Sequence, residues 1–251
     1  MTKQTALQLY SVRDAIAQDF EDTMQRIAAM GFTHVETAFW PEHISVTQAG
    51  QLLRDMNFTV IGMHCEVPSD DAQKAAWLEM AEAYDCTRMI WHGWPHDNRY
   101  HSLDDSKHWA DIYNEANAFA RTNGLSFGLH NHWWEFEDAE GHLPFYALLD
   151  YLEPDVFFEL DMYWVQVAGL NPAKVVADFG ERVQLLHVKD GPAVHGPDSH
   201  VQVAAGTGAV DIPAVIQAAG DVVDTLVIEF DDCATDVVDA VEVSYEYLRV
   251  M

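Results

Sequence analysis

The sequence predicts an α/β protein of the (β/α)8 barrel class. Three observations carry that prediction: eight short apolar segments with strand character, a helix-like segment after each of them, and a length of 251 residues, which suits eight such units. The first strand is expected over 6–12, with helical spacing over 20–30 and Gly31 as its stop. Strands over 33–39 and 58–65 are followed by helices over 46–56 and 71–84. A strand over 88–93 leads to a helix over 106–122, with Gly124 at its end. Strands over 126–132 and 156–163 precede helices over 143–152 and 172–179. The last two units pair strands 183–189 and 225–231 with helices 212–219 and 235–248. Asp211 suits the N-cap of the first of these helices, and Pro213 its first turn.

No glycine-rich dinucleotide turn follows the first strand, which disfavours a doubly wound sheet. No stretch rich in Pro, Gly or Ser divides the chain, so a single barrel domain over 1–251 is expected. The longest break, 191–208, lies after the seventh strand, where a barrel builds its active site. It is a candidate lid or substrate loop.

Composition narrows the function. Lys and Arg number 13 against 41 Asp and Glu, a formal charge of −28, and such a chain repels phosphate backbones and anionic lipid. Nucleic acid is therefore not an expected partner. No run approaches the roughly 20 apolar residues of a membrane span, and the N-terminus lacks the pattern of a secretory signal, so a cytoplasmic protein is expected. Cys65, Cys86 and Cys233 fit no zinc or disulfide framework. The 13 histidines are more pointed, because imidazole and carboxylate together suit divalent metals.

Strand parity locates those groups, since residues two apart share a face. Glu159 and Asp161 share one face of the sixth strand, His187 and Lys189 one face of the seventh, and Glu229 and Asp231 one face of the eighth. His130 and His132 end the fifth strand, and His64 and Glu66 the third. Burying so many ionisable groups is unfavourable unless they meet partners or a metal. Asp161, His187 and Glu229 form an oxygen and nitrogen ligand set suited to Mn, Mg, Co or Zn, with a fourth ligand from His130, His132 or Glu135. Glu159, one layer deeper, reads as a structural or supporting acid. His92 is a candidate substrate contact, and Lys189 a candidate partner of a substrate oxygen or a carboxylate. Phe39, Trp40, Trp91, Trp94, Trp133, Trp134 and Trp164 fall near the rim, where aromatic faces can stack on a sugar ring, and Trp164 is the best candidate for a pocket wall.

These residues carry a resemblance. Leu7-Gln8-Leu9-Tyr10-Ser11-Val12-Arg13, His130-Asn131-His132 with Glu135-Phe136, and Leu160-Asp161-Met162-Tyr163-Trp164 are similar to motifs of the sugar phosphate isomerase/epimerase family. Leu186-His187-Val188-Lys189-Asp190-Gly191, Gly206-Thr207-Gly208 and Ile228-Glu229-Phe230-Asp231 extend the likeness over nearly the whole chain. The family comprises metal-dependent, xylose isomerase-like TIM barrels related to inosose dehydratase and endonuclease IV. The resemblance implies a divalent metal, often manganese, on Glu135, Asp161, His187 and Glu229. The family's first glutamate sits within the fifth strand, where this chain has His130.

The resemblance further implies a keto-sugar or related polyol as substrate and an ene-diolate intermediate. Glu135 and Glu229 would transfer protons, and Lys189 or His64 would stabilise negative oxygen. His92, His130, His132, Trp164 and Glu66 would face the sugar. Isomerisation or epimerisation is the leading expectation, and elimination by a lyase or dehydratase acting on an oxidised sugar or inositol derivative is the alternative. A non-enzymatic sugar-binding barrel or partner subunit is the third reading. Self-association into a homo-oligomer fits the same resemblance.

Overall fold

The computed structural model describes residues 3–38, 40–97 and 99–251. Eight parallel strands close into a barrel in chain order: β1 Gln4–Gln8, β2 His34–Thr37, β3 Thr59–Cys65, β4 Arg88–Trp91, β5 Ser126–His130, β6 Phe157–Asp161, β7 Val183–Val188 and β8 Thr225–Ile228. Around them run α1 Arg13–Gln18, α2 Phe20–Met30, α3 Val46–Asp55, α4 Asp71–Tyr84 and α5 Leu103–Thr122. The ring continues with α6 Pro144–Tyr151, α7 Met162–Val167, α8 Pro172–Phe179, α9 Ile212–Ala219 and α10 Val237–Leu248. None of the described helices is long and apolar enough to cross a membrane. Phe39, expected at the rim, lies outside the described residues.

Local chemistry sets the helix limits. Asp19 caps α2 by accepting the Asp22 N–H, and Gly31 ends that helix with φ 109°, a left-handed conformation that favours glycine. Ser45 and Gln48 form a reciprocal capping box at the start of α3. Ser102 caps α5 and Asp236 caps α10. The sixth strand is shorter than its apolar run suggests. Asp161 Oδ1 accepts the Tyr163 and Trp164 N–H groups at 2.9 and 3.0 Å, so the chain turns into α7 directly after that acid.

Two apolar layers hold the barrel. The outer one joins the helices to the strands through residues such as Met24, Trp77, Tyr113, Phe158 and Val241. The inner one, Ala6, Ile61, Ile90, Phe157, Leu185 and Val227, fills the barrel below the ionisable groups. Gly128 makes room for this inner layer, because a Cβ there would lie 2.3 Å from the Phe157 ring. The ring is enclosed and 1% exposed, so it has no space to withdraw. Gly128→Ala is therefore expected to destabilise the fold by about 2 kcal/mol, lowering Tm by roughly 4–8 °C. A thermal melt indistinguishable from wild type would contradict this packing.

The long loop after β7, a candidate lid or substrate loop, is tethered at several points along its length. Asp190 Oδ2 accepts the N–H groups of Gly206 and Gly208 at 2.9 and 2.8 Å, and its Oδ1 accepts that of Val210 at 3.1 Å. Asp190 also bridges to Val203, and Tyr163 donates its hydroxyl hydrogen to Ser199 O at 2.6 Å.

Candidate metal centre

Parallel register brings the inward acids and imidazoles to the carboxyl-end mouth. Asp161 of β6 lies opposite His187 of β7, and His130 of β5 lies opposite Glu159 of β6. Lys189 and Glu229 follow directly on β7 and β8. His187 is the hub. Its Nδ1 is 2.6 Å from Glu229 Oε2, while its Nε2 is 2.7 Å from Glu36 Oε2 and 3.1 Å from Glu159 Oε2. Burial alone would lower this imidazole, but Glu159, Glu229 and Glu36 together hold it well above its ordinary range.

Lys189 is the second hub. Its Nζ lies 2.6 Å from Asp231 Oδ2, 2.8 Å from Glu229 Oε2 and 3.0 Å from Asp161 Oδ2. Burial would raise Glu229, yet Lys189 and His187 hold its carboxyl well below the usual range. Asp161, in contrast, is pushed up to about 6 by burial despite Lys189 and His187.

One donor atom each from His130, Asp161, His187 and Glu229 lies within 4.8 Å of all the others, as does a deeper set of His64, His130, Glu159 and His187. The surroundings suit a cation. His130 Nδ1, Glu36 Oε1 and Glu159 Oε1 are buried without a hydrogen-bond partner. Burial and the negative charge of Glu159 push Glu36 up to about 7. A divalent ion on the His130, Asp161, His187 and Glu229 donors would relieve this crowding of acids, and the mixed oxygen and nitrogen set without thiolate suits Mg, Mn, Co or Zn.

The pattern of the xylose isomerase-like TIM barrel family matches residues 24–247. The chain belongs to that family. Two solved structures described as sugar phosphate isomerase/epimerase from Parabacteroides distasonis are similar to it. One is 21% identical with TM-score 0.81, covering 99% of this chain and 94% of the other, and the second is 19% identical with TM-score 0.82, covering 98% and 97%. An L-ribulose 3-epimerase aligns at 14% identity with TM-score 0.70 over 100% of this chain and 94% of the other. At these identities the structures share the fold. None of the curated proteins matches the chain.

Within this xylose isomerase-like barrel, three of the ligands inferred from the sequence, Asp161, His187 and Glu229, come together. Of the residues weighed for the fourth place, His130 joins them, whereas Glu135 and His132 are outside both donor groups. Asn131 explains the difference. Its Oδ1 accepts the Asp161 N–H at 2.9 Å and hooks the chain to β6 just after His130, so the next residues leave the strand. Glu135 lies in a short 3-10 turn, Trp134–Phe136, and its Oε2 accepts the His132 N–H at 2.8 Å. Lys189, expected on a substrate oxygen or a carboxylate, meets the carboxylates of Asp161, Glu229 and Asp231. His64 Nε2 is 2.7 Å from Glu159 Oε2, and His92 Nε2 is 3.2 Å from Glu66 Oε1 near the mouth.

A cavity of about 550 Å3 opens above the donors, with His64, His92, His132, Trp164 and Glu229 in its wall. Trp164 is fully buried and Trp94 is 55% exposed at the rim. The His132 ring stacks on Trp134 at 4.2 Å and 8°. Burial lowers His92 to about 4 and His132 to about 3, and pulls His64 and His130 down as well.

Glu36 and Gln8 were not among the residues singled out from the sequence. Gln8 Nε2 donates to Glu36 Oε2 at 2.8 Å, which orients the acid that meets His187. The signal was present: Glu36 is an acid inside the apolar segment His34-Val35-Glu36-Thr37, the same anomaly that marks Glu229.

Glu135 yields a pH prediction. Burial pushes its carboxyl up to about 8 from an ordinary 4.5. Between those values the folded state keeps a proton that the unfolded chain has released, so this group's contribution to stability falls as pH rises, by up to about 1.4 kcal/mol per unit. Glu135→Gln is expected to flatten the decline in urea midpoint between about pH 5 and pH 8. An unchanged slope would show that this carboxyl does not titrate in that window.

Proposed function

We propose that this protein is a metal-dependent isomerase or epimerase of a keto-sugar or related polyol, with manganese as the working ion. The observation that carries the reading is an acid held ionised, Glu229, in the wall of a sugar-sized cavity directly beside the donor group. His130, Asp161, His187 and Glu229 would hold a divalent ion, which would supply Lewis-acid polarisation of a carbonyl and so acidify the adjoining carbon.

The chain's own groups do the rest. Glu229 meets Lys189 and His187, which keep it in the carboxylate form that both a metal ligand and a proton acceptor need. β4 and β8 stand on opposite sides of the closed ring, so His92, just past β4, faces the substrate from the wall opposite Glu229. Delivery of a proton to the opposite face of the same carbon epimerises, and return to the neighbouring carbon isomerises. Trp94, exposed at the rim, gives the cavity aromatic surface that suits the apolar face of a sugar, and the buried Trp164 backs the wall behind it.

The test is incubation with free keto-pentoses and keto-hexoses in deuterated water with Mn2+, followed by NMR. An isomer or epimer carrying deuterium on carbon is expected. An unsaturated product would replace this reading with elimination, and metal-loaded protein that exchanges no carbon-bound hydrogen in any sugar would replace it with a binding role.

A further inference from the structure

We propose that this site selects an uncharged sugar and rejects phosphorylated ones. The proposal rests on the sugar reading above and adds the charge of the substrate. Barrels of this kind commonly seat a phosphate on the loops after the seventh and eighth strands, where backbone N–H groups and a helix N-terminus converge. In this chain those cradles already hold carboxylates. Asp190 takes the N–H groups of Gly206, Gly208 and Val210, the glycine-rich turn that would otherwise wrap an anion. A Cβ at Gly208 would lie 2.1 Å from Asp190 Oδ1, which shows how closely the turn is wrapped around that side chain. Asp211 caps α9 through the Ala214 N–H, and Asp236 caps α10 through the N–H groups of Val238 and Asp239.

No cation compensates. Residues 190–211 and 229–236 contain no Lys or Arg. No Lys or Arg is among the described residues in the cavity wall, whereas Glu229, Asp231 and Asp232 are. Lys189 is enclosed by Asp161, Glu229 and Asp231. Arg13 donates to the carbonyls of Tyr10 and Asp231, each at 2.9 Å. A bound dication does not reverse the balance, because the carboxylates of Glu159, Asp161, Glu229, Asp231 and Asp232 outnumber the positive charges of that ion, Lys189 and Arg13. An entering phosphate would meet acid at the rim and find these three backbone cradles filled.

The test uses the Mn2+-loaded protein and calorimetric titration with D-fructose, D-tagatose and D-xylulose against fructose 6-phosphate, tagatose 6-phosphate and xylulose 5-phosphate. At least one free ketose is expected to bind, with its phosphate at least about 10-fold weaker. Asp232→Lys, an exposed change at the mouth, is expected to narrow that ratio at least about threefold. A phosphate that binds as tightly as its free ketose, a panel in which no free ketose binds, or an unchanged ratio in Asp232→Lys would each overturn the proposal. Deuterium exchange on the same samples separates the two readings. A free ketose that binds selectively but exchanges no hydrogen overturns the isomerase and leaves the charge selection standing.

Discussion

Replacing Lys189 by methionine is expected to destabilise the metal-free protein by about 3–5 kcal/mol, the cost of leaving buried charges without their partner. The ammonium is 1% exposed and stands within 3.0 Å of Asp161, Glu229 and Asp231. Methionine keeps the unbranched stem of the side chain but withdraws the charged end, so three acids face one another across a low-dielectric core. Part of the loss should return on adding Mn2+, because a dication bound by Asp161 and Glu229 neutralises the same acids and stabilises the fold by mass action. Urea unfolding with and without the metal reads both effects. A variant as stable as wild type, or one that Mn2+ stabilises no more than it does wild type, would contradict this role for Lys189.

Glu229→Gln is expected to weaken Mn2+ binding by at least about 100-fold while the barrel stays folded. The amide keeps the shape and an acceptor for Lys189, but it loses the negative charge that makes the oxygen a strong ligand. The apolar layer of Ala6, Ile61, Ile90, Phe157, Leu185 and Val227 is untouched. His187→Ala should also lose metal, but less cleanly, since it leaves Glu36, Glu159 and Glu229 without the imidazole that joins them. Competition with a calibrated chelator gives the affinity, and far-UV circular dichroism reports the fold. Wild-type affinity in Glu229→Gln would remove this residue from the ligand set.

The barrel was legible because period-two apolar segments alternate with helical ones along the whole chain, and that rhythm needs no knowledge of distant contacts. Parity then brought Asp161, His187 and Glu229 to one rim. What stayed hidden depends on bonds between distant residues. His130 joins the donors and Glu135 does not because Asn131 hooks β5 to the backbone of Asp161, 30 positions later. The loop after β7 showed its length but not its tether, since nothing local marks Asp190 as the acid that gathers Gly206, Gly208 and Val210. The sixth strand was expected to run past Asp161, because its apolar continuation hides the helix that Asp161 caps. Glu36 differs in kind: its strand displays the anomaly, but β2 is only four residues long, so short that alternation barely marks its inward face.

The central claim is that His130, Asp161, His187 and Glu229 surround a single divalent ion at the barrel mouth. Anomalous diffraction at the manganese absorption edge from crystals grown with Mn2+ tests it most directly. The account predicts one strong peak within bonding distance of all four side chains. A peak held instead by Glu135, or protein fully loaded with metal elsewhere and none between these four residues, would contradict it.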